Sequence, residues 1–337
     1  MQSPANKNYL SLISKFVATA LLLAWLVAVG ILIVNKQKIE DWWRLRGYSP
    51  PAAISQLADQ DTMNSYTRHL FYLNRPQLLP TVKSFRASCP ENKDTIVLGC
   101  YHPDQNGIYI FNVADPTLAG VQQVTAAHEV LHAVYARLTN AQRTTLDSEL
   151  QDFNDHHLQS SVVKDEVKLY KETEPSDVYD EMSCTFGTEI ANLTPALENY
   201  YKNYFTNRSA IVAYEQQYES AFSSRQAQIK QYDAQLAQMK TQIDAQQSAI
   251  NSTQNILDTM LQNLNSYKAS GDYADYNYGV PEYNAQVDKY NSQIRYLTSL
   301  INSYNSLVAQ RNAIAGQYTT LTNAIDTRVA PTRQTTN

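Results

Sequence analysis

Charge is what this sequence has least of. Of its 337 residues only 18% are Asp, Glu, Lys or Arg, and the balance is slightly acidic, −5. No basic patch or stripe stands out in it, so nucleic acid is not an expected partner. Cysteine is scarce too, at three. Two of the three, Cys89 and Cys100, bracket SCPENKDTIVLGC, where turn-forming residues lead into an apolar run. A disulfide closing a loop of that size would stabilise the fold by about 3 kcal/mol and would belong to an oxidising compartment. Two buried free thiols are the alternative. Charge is missing altogether from Phe16 to Val34, FVATALLLAWLVAVGILIV. As a helix this segment spans about 28 Å, one hydrocarbon core. It also lacks a convincing cleavage site, because behind Ala28-Val29-Gly30 the apolar run continues with ILIV. A retained membrane anchor is therefore expected rather than a cleaved leader.

Sidedness is read from two opposed signals. Lys7 and Lys15 precede the span, whereas Lys36, Lys38, Arg44 and Arg46 follow it. Counted alone, these cations mildly favour a cytoplasmic C-terminal side. The cysteine pair argues for the outside, as does the polar but weakly charged composition beyond residue 200. A large domain can be translocated against a weak charge bias, so the bulk of the chain is expected to be extracytoplasmic.

The length allows one or two domains with a core. Residues 1–15 read as an N-terminal tail, 16–34 as the transmembrane helix and 35–57 as a juxtamembrane linker. The linker carries Trp42 and Trp43, suited to a membrane interface, and the break SPPA. Residues 58–207 read as a globular α+β domain. In it TIVLGCY and GIYIFNV are two strands, with a turn at Asn106-Gly107. Helices are expected over about 120–138, over NAQRTTLDSELQDFNDHH with Asn140 as cap, and from near Ser176 through YDEMSCTFGTEIANL, with Pro195 ending or restarting the last.

From 208 to 328 the pattern becomes heptad. Phe222, Ile229, Leu236, Ile243, Ile250, Leu257 and Leu264 recur every seventh residue, with Tyr218, Tyr232, Met239 and Met260 as companions. After the break KASGDYADYNYGVPE, Val287, Ile294, Ile301 and Val308 alternate with Tyr290, Leu297 and Tyr304. Sustained heptads around a Gly- and Pro-containing loop predict an antiparallel coiled-coil hairpin, with a homo-oligomer or protein partner as its possible use. Residues 329–337 read as a disordered tail.

One pentapeptide carries chemistry: His128-Glu-Val-Leu-His132, within VTAAHEVLHAVYARL. On a helix the two histidines lie one above the other. Their imidazoles can meet one Zn²⁺ at about 2.0–2.1 Å, and Glu129 is placed to act as general base on a water held there. A strand followed by a HExxH helix resembles the zincin metallopeptidases. That resemblance implies a small sheet with active-site helices, zinc as cofactor, and a peptide or protein substrate held by an edge strand, here GIYIFNV. The metzincin continuation is absent: its Gly and third His positions hold Tyr135 and Leu138. A gluzincin takes its third ligand from a later helix, which points to Glu181. The segment DEMSCTFGTEIANLTPALENYYKNYF also resembles uncharacterised membrane-anchored bacterial proteins with HExxH and a later Glu, which supports Glu181 and implies no substrate.

Glu189, His156 and His157 compete for the third-ligand position. Many gluzincins place an Asp four residues after the ligand Glu, where it orients the first His; here that place holds Thr185. Cys184 reads as core packing. Tyr179, Tyr200, Tyr201, Tyr204 and His102 could each stabilise an oxyanion, and Arg208 could do so or serve as an ion-pair partner. The sequence thus predicts a membrane-anchored zinc metallopeptidase with metal ligands His128, His132 and Glu181 and base Glu129. The contrasting expectation is a cell-surface coiled-coil structural or adhesion protein on a degenerate zincin scaffold. A zinc hydrolase acting on non-peptide bonds is a third.

Overall fold

The structure, a computed structural model, describes residues 5–90, 96–104 and 107–328, with residues 5–12 described through their backbone alone. The ENKDT stretch between the cysteines, the turn residue Asn106 and the tail from 329 lie outside the described residues. In chain order the elements are α1 (Ala5–Val34), α2 (Lys36–Leu45), α3 (Ala52–Gln60), α4 (Ser65–Leu73), β1 (Gln77–Leu79), α5 (Val82–Ser88), β2 (Gly99–His102), β3 (Gly107–Phe111), α6 (Val121–Tyr135), α7 (Asn140–His156), α8 (Ser161–Thr173), α9 (Val178–Glu189), α10 (Pro195–Tyr201), α11 (Arg208–Ser270) and α12 (Tyr273–Ile325). Most of the chain is helical, and the three strands form one small mixed sheet. The chain divides into two compact units. One comprises Met1–Glu91, Val97–Asn112 and Gln122–Val212; the other is dominated by Ala213–Asn337.

In α1, Ile13–Val34 has a mean hydropathy of 2.8 with 0% of its most apolar window buried, and is long and apolar enough to cross a membrane. The core of the first unit is built around α6. Ala126, Ala127, Val130, Leu131, Ala133 and Val134 are all buried, so almost the whole circumference is apolar. Such a helix belongs inside a protein, where no solvated face is needed. In α9, Met182 through Thr188 are likewise buried without interruption. Packed around them are Ile54 and Leu57 of α3, Leu70 and Phe71 of α4, Leu146, Leu150 and Phe153 of α7, and Val163 and Val167 of α8.

Several expectations change. The stretch 35–57 is not a bare linker: it carries α2 and α3, and Ile54, Leu57 and Ala58 make an i, i+3, i+4 face that the core absorbs. α8 was not anticipated, since Val163 and Val167 alone mark its buried side. The cap of α7 is Thr139 rather than Asn140; its hydroxyl accepts from Gln142 N while Gln142 reaches back, a capping box. The sheet order is β1-β3-β2, with β1 parallel and β2 antiparallel to β3. The GIYIFNV strand is therefore central, with Ile108 and Ile110 fully buried, and cannot be the edge that receives a peptide. β1 has three residues, too few for a period to show in sequence.

The second unit is an antiparallel hairpin of α11 and α12. As α11 advances, its partners on α12 recede: Phe222 meets Tyr318, Asp233 pairs with Arg311 at 3.0 Å, and Gln246 Nε2 donates to Gln293 O at 3.1 Å. The turn between them is short, with Gly271 at φ +75 and Asp272 capping α12 through Asp275 N. Much of the expected break is thus helical. Ile250 and Leu264 of the α11 heptads are buried in the seam. On α12 Leu300, Leu321 and Ile325 are buried, whereas Ile294 and Ile301, on either side of Leu300 in sequence, are 38% and 41% exposed.

Asp61 follows α3, is 0% exposed, and neither carboxylate oxygen has a hydrogen-bond partner among the described residues. Burial pushes its pKa well above the ordinary carboxylate value. A raised carboxyl pKa costs stability above the unfolded-state value, and the cost disappears as the pH falls below it. Asp61→Asn is therefore expected to stabilise the protein on the order of 2 kcal/mol near neutral pH. Chemical unfolding at a series of pH values checks this: the gain should shrink toward pH ~4, and a gain independent of pH would refute the assignment.

Candidate metal centre

α6 sets His128 and His132 on one face a turn apart, with ring centroids 5.1 Å from each other. The first turn of α9 brings Asp180 and Glu181 against that face. Glu181 Oε2 lies 3.6 Å from His128 Nε2, and Oε1 lies 3.7 Å from His132 Nε2. One carboxylate therefore faces both rings. The three side chains keep between 12% and 19% of their surface, so the centre is sheltered yet reachable from solvent. Burial works to raise the Glu181 carboxyl, but its hydrogen bond to His128 and the two nearby imidazoles hold it below the usual value.

The other nitrogen of His132, Nδ1, stands 2.9 Å from Asp180 Oδ1. This contact orients the ring so that Nε2 points at Glu181. Burial of the His132 ring opposes its protonation, and Cys184 together with the Asp180 carboxylate outweighs that, raising its pKa well above the ordinary imidazole value.

Glu129 is 5% exposed. Burial raises its pKa, with His132 and His128 working partly against the shift. β2 passes directly over it. A Cβ built on Gly99 would overlap Glu129 Oε1 and come within 2.7 Å of its Cγ and 2.6 Å of Thr125 Cγ2, so no larger residue fits without displacing the base. Two residues on, the Tyr101 ring stacks on His132 at 6.4 Å and 5°. Between them Cys100 is disulfide-bonded to Cys89, just past α5, with the two Cα atoms 6.0 Å apart. The edge strand that roofs the site is thus covalently tied down at its middle.

The structure brings His128, Glu129, His132 and Glu181 together. Histidines and a cysteine can also group here: ligand atoms of His128, His132 and Cys184 lie within 4.8 Å of one another, so these residues could hold a metal ion. Cys184 is fully buried, and burial pushes its thiol up to about 12. His156 and His157 stand apart, exposed at the end of α7 and both facing Asp152. Glu189 is the last residue of α9, two turns beyond Glu181. Thr185 is buried, and the carboxylate beside one of the two histidines is Asp180 instead, at His132. Among the oxyanion candidates, Tyr201 donates to Ser183 O at 2.7 Å, Tyr179 to Gln151 at 3.2 Å, and His102 faces Ser88 O at 2.8 Å. Arg208 is structural: it donates to Ile190 O and Ala191 O at the end of α9 and pairs with Glu198.

Asp180, Gly99 and Tyr101 were missed by sequence reasoning, as were Glu166 and Tyr170 of α8, where burial first and the Glu181 carboxylate in addition raise both groups. The Asp-Glu pair at the start of a helix was visible; the partner of Asp180 was not. Comparison with protein-family models, with curated proteins and with solved structures finds no match for this chain.

Two variants separate positioning from ligation. Asp180→Asn should weaken metal affinity about 10–100-fold, measured by titration against a chelator. Gly99→Ala should leave the bound metal unchanged while lowering any turnover at the centre about 100-fold, because it moves Glu129 and no ligand. Loss of metal in Gly99→Ala would show that β2 supports the ligands instead.

Proposed function

We propose that the chain is a membrane-anchored zinc metallopeptidase, with the centre outside the cytoplasm. The observation that carries this reading is the single Glu181 carboxylate facing both Nε2 atoms, beside a buried Glu129. The donor set fits the ion: a tetrahedral zinc with ligands at about 2.0–2.1 Å holds them about 3.3 Å apart, close to the 3.6 and 3.7 Å seen here. His128, His132 and Glu181 would hold it, and it would supply Lewis acidity and lower the pKa of a coordinated water toward ~7. Two neutral donors and one carboxylate suit zinc, and Glu181 presents the same reach to both rings. Cys184 would demand a thiolate in a site that holds its thiol up.

Glu129 has the role of base. Its burial makes the carboxylate a stronger proton acceptor than a solvated one. It takes the proton of the attacking water and returns it to the departing amine. Asp180 accepts from Nδ1 of His132, so Nε2 is the nitrogen that would give up its proton to a metal ion. A substrate peptide would lie along the open edge of β2, not β3, with Tyr101 and the disulfide fixing that edge. The disulfide supports the extracytoplasmic placement.

The exposed Ile294 and Ile301 on the hairpin favour a second role, assembly with a partner protein or another copy. In the scaffold reading this is the whole function.

Glu129→Gln decides between them. The purified wild type should carry about one zinc per chain by mass spectrometry and cleave members of a peptide library. Glu129→Gln should keep the zinc and lose about 10²–10⁴-fold in kcat/KM. A wild type with no zinc after reconstitution, or with zinc and the same background cleavage as Glu129→Gln, would sink the peptidase.

A further inference from the structure

A single residue, Asn35, separates α1 from α2, and backbone bonds run through it: Asn35 N donates to Ile31 O and Ile39 N to Asn35 O, each at 3.0 Å. Whatever holds α1 therefore carries α2 with it. The two sides of α2 differ. On one, Asp41 is 14% exposed and accepts from both terminal nitrogens of Arg137 at 2.9 Å. Arg75 donates to Arg44 O at 3.0 Å, and Leu45 packs on the core. On the other, Trp42 and Trp43 are 58% and 60% exposed, edge to face at 5.2 Å. The Arg46 guanidinium lies 5.4 and 5.3 Å from the two ring centroids. Adjacent bare indoles suit the headgroup layer, where the ring is half-buried and its N–H stays hydrated. Lys36, Lys38 and Arg46 add cations for anionic lipids.

The locked side leads straight to the metal centre. Arg137 lies five residues beyond His132, one helical turn and a bend away. Tyr101 feels the charges of both Arg137 and Arg44 and stacks on His132. Asp41, next to Trp42, holds Arg137, and on the other side of Arg137's charge Tyr101 stacks on His132. We propose that α2 lies in the lipid headgroup layer and fixes the His128–His132–Glu181 centre close above it, so that the substrate is the membrane-proximal stretch of a membrane-anchored polypeptide. An extended chain rises about 3.3 Å per residue, so a centre held close above the layer reaches only the first few residues that emerge from the surface. The substrate half of this proposal rests on the peptidase reading; the lipid half does not.

The test uses the full chain reconstituted in vesicles of phosphatidylcholine and phosphatidylglycerol. Trp25→Phe removes the indole inside α1, leaving Trp42 and Trp43 as reporters. Lipids brominated near the top of the acyl chain should quench their fluorescence; emission equal to that in unbrominated vesicles would overturn the lipid contact. One cleavable sequence is then offered three ways: on a short lipid tether, on a long spacer from the same lipid, and free. Short-tether peptide should be cut at least tenfold faster than long-spacer peptide. Trp42→Ser with Trp43→Ser should erase that preference and leave cleavage of the free peptide unchanged. Equal rates for short and long tethers would overturn the substrate class while leaving the peptidase standing. Failure to cut any of the three would overturn the peptidase and the substrate class with it, while quenching still decides the lipid contact.

Discussion

His132 and Asp180 hold the two central helices in one phase. Each helix is buried on nearly every side, and Gly187 of α9 lets Leu131 of α6 pack close against it. To that packing the 2.9 Å contact between Nδ1 and Oδ1 adds a directional constraint, because it forms at only one setting of both helices. At that setting the next residue, Glu181, faces both Nε2 atoms. Arg208 secures the far end of α9 by taking the carbonyls of Ile190 and Ala191, groups a helix end leaves without partners. The carboxylate is thus placed by anchors at both ends of its helix.

β2 supplies the third wall, and its sequence shows why so short a strand suffices. Gly99 makes room for Glu129, Cys100 ties the strand to the end of α5, and Tyr101 lies flat on His132. Three consecutive residues do three different jobs because a strand points alternate side chains to opposite faces. Gly99 and Tyr101 face the centre, and Cys100 faces away toward Cys89. Pairing with β3 adds the backbone bonds, and β3 is itself held from the other side by β1.

What sequence made legible was whatever repeats locally. The apolar run of α1, the i, i+4 histidines and the α11 heptads each follow from a period that survives without knowledge of the fold. What stayed hidden depends on partners far away in the chain. β3 looked like an edge because its second neighbour, β1, is too short to have a pattern. Residues 35–57 looked like a linker because nothing in them names Arg137 as the partner of Asp41. On α12 two apolar rows lie side by side, and only the docked arm decides that Leu300 enters the seam while Ile294 and Ile301 stay outside. Asp180 was overlooked for a related reason: Thr185 occupies the position where a family pattern places a carboxylate for the first histidine, and the carboxylate present comes from the other direction along the helix and meets the second, His132.

The polar side chains of α6 bear on the choice between chemistry and scaffolding. Glu129 sits at 5% exposure in a helix whose other buried residues, Thr125 and Tyr135 apart, are alanine, valine and leucine. Taking a carboxylate out of water is costly, as its raised pKa records, and the histidines beside it offset only part of that. A helix needed purely to fill the core would be more stable with an apolar residue at this position. The same holds for Gly99, where the strand forgoes a side chain so that Glu129 has room. Two positions on separate elements each give up stability, and the gain they share is one carboxylate kept beside two imidazoles and a second carboxylate. Packing provides no return for that arrangement, whereas the proposed proton transfer at a bound ion would use it.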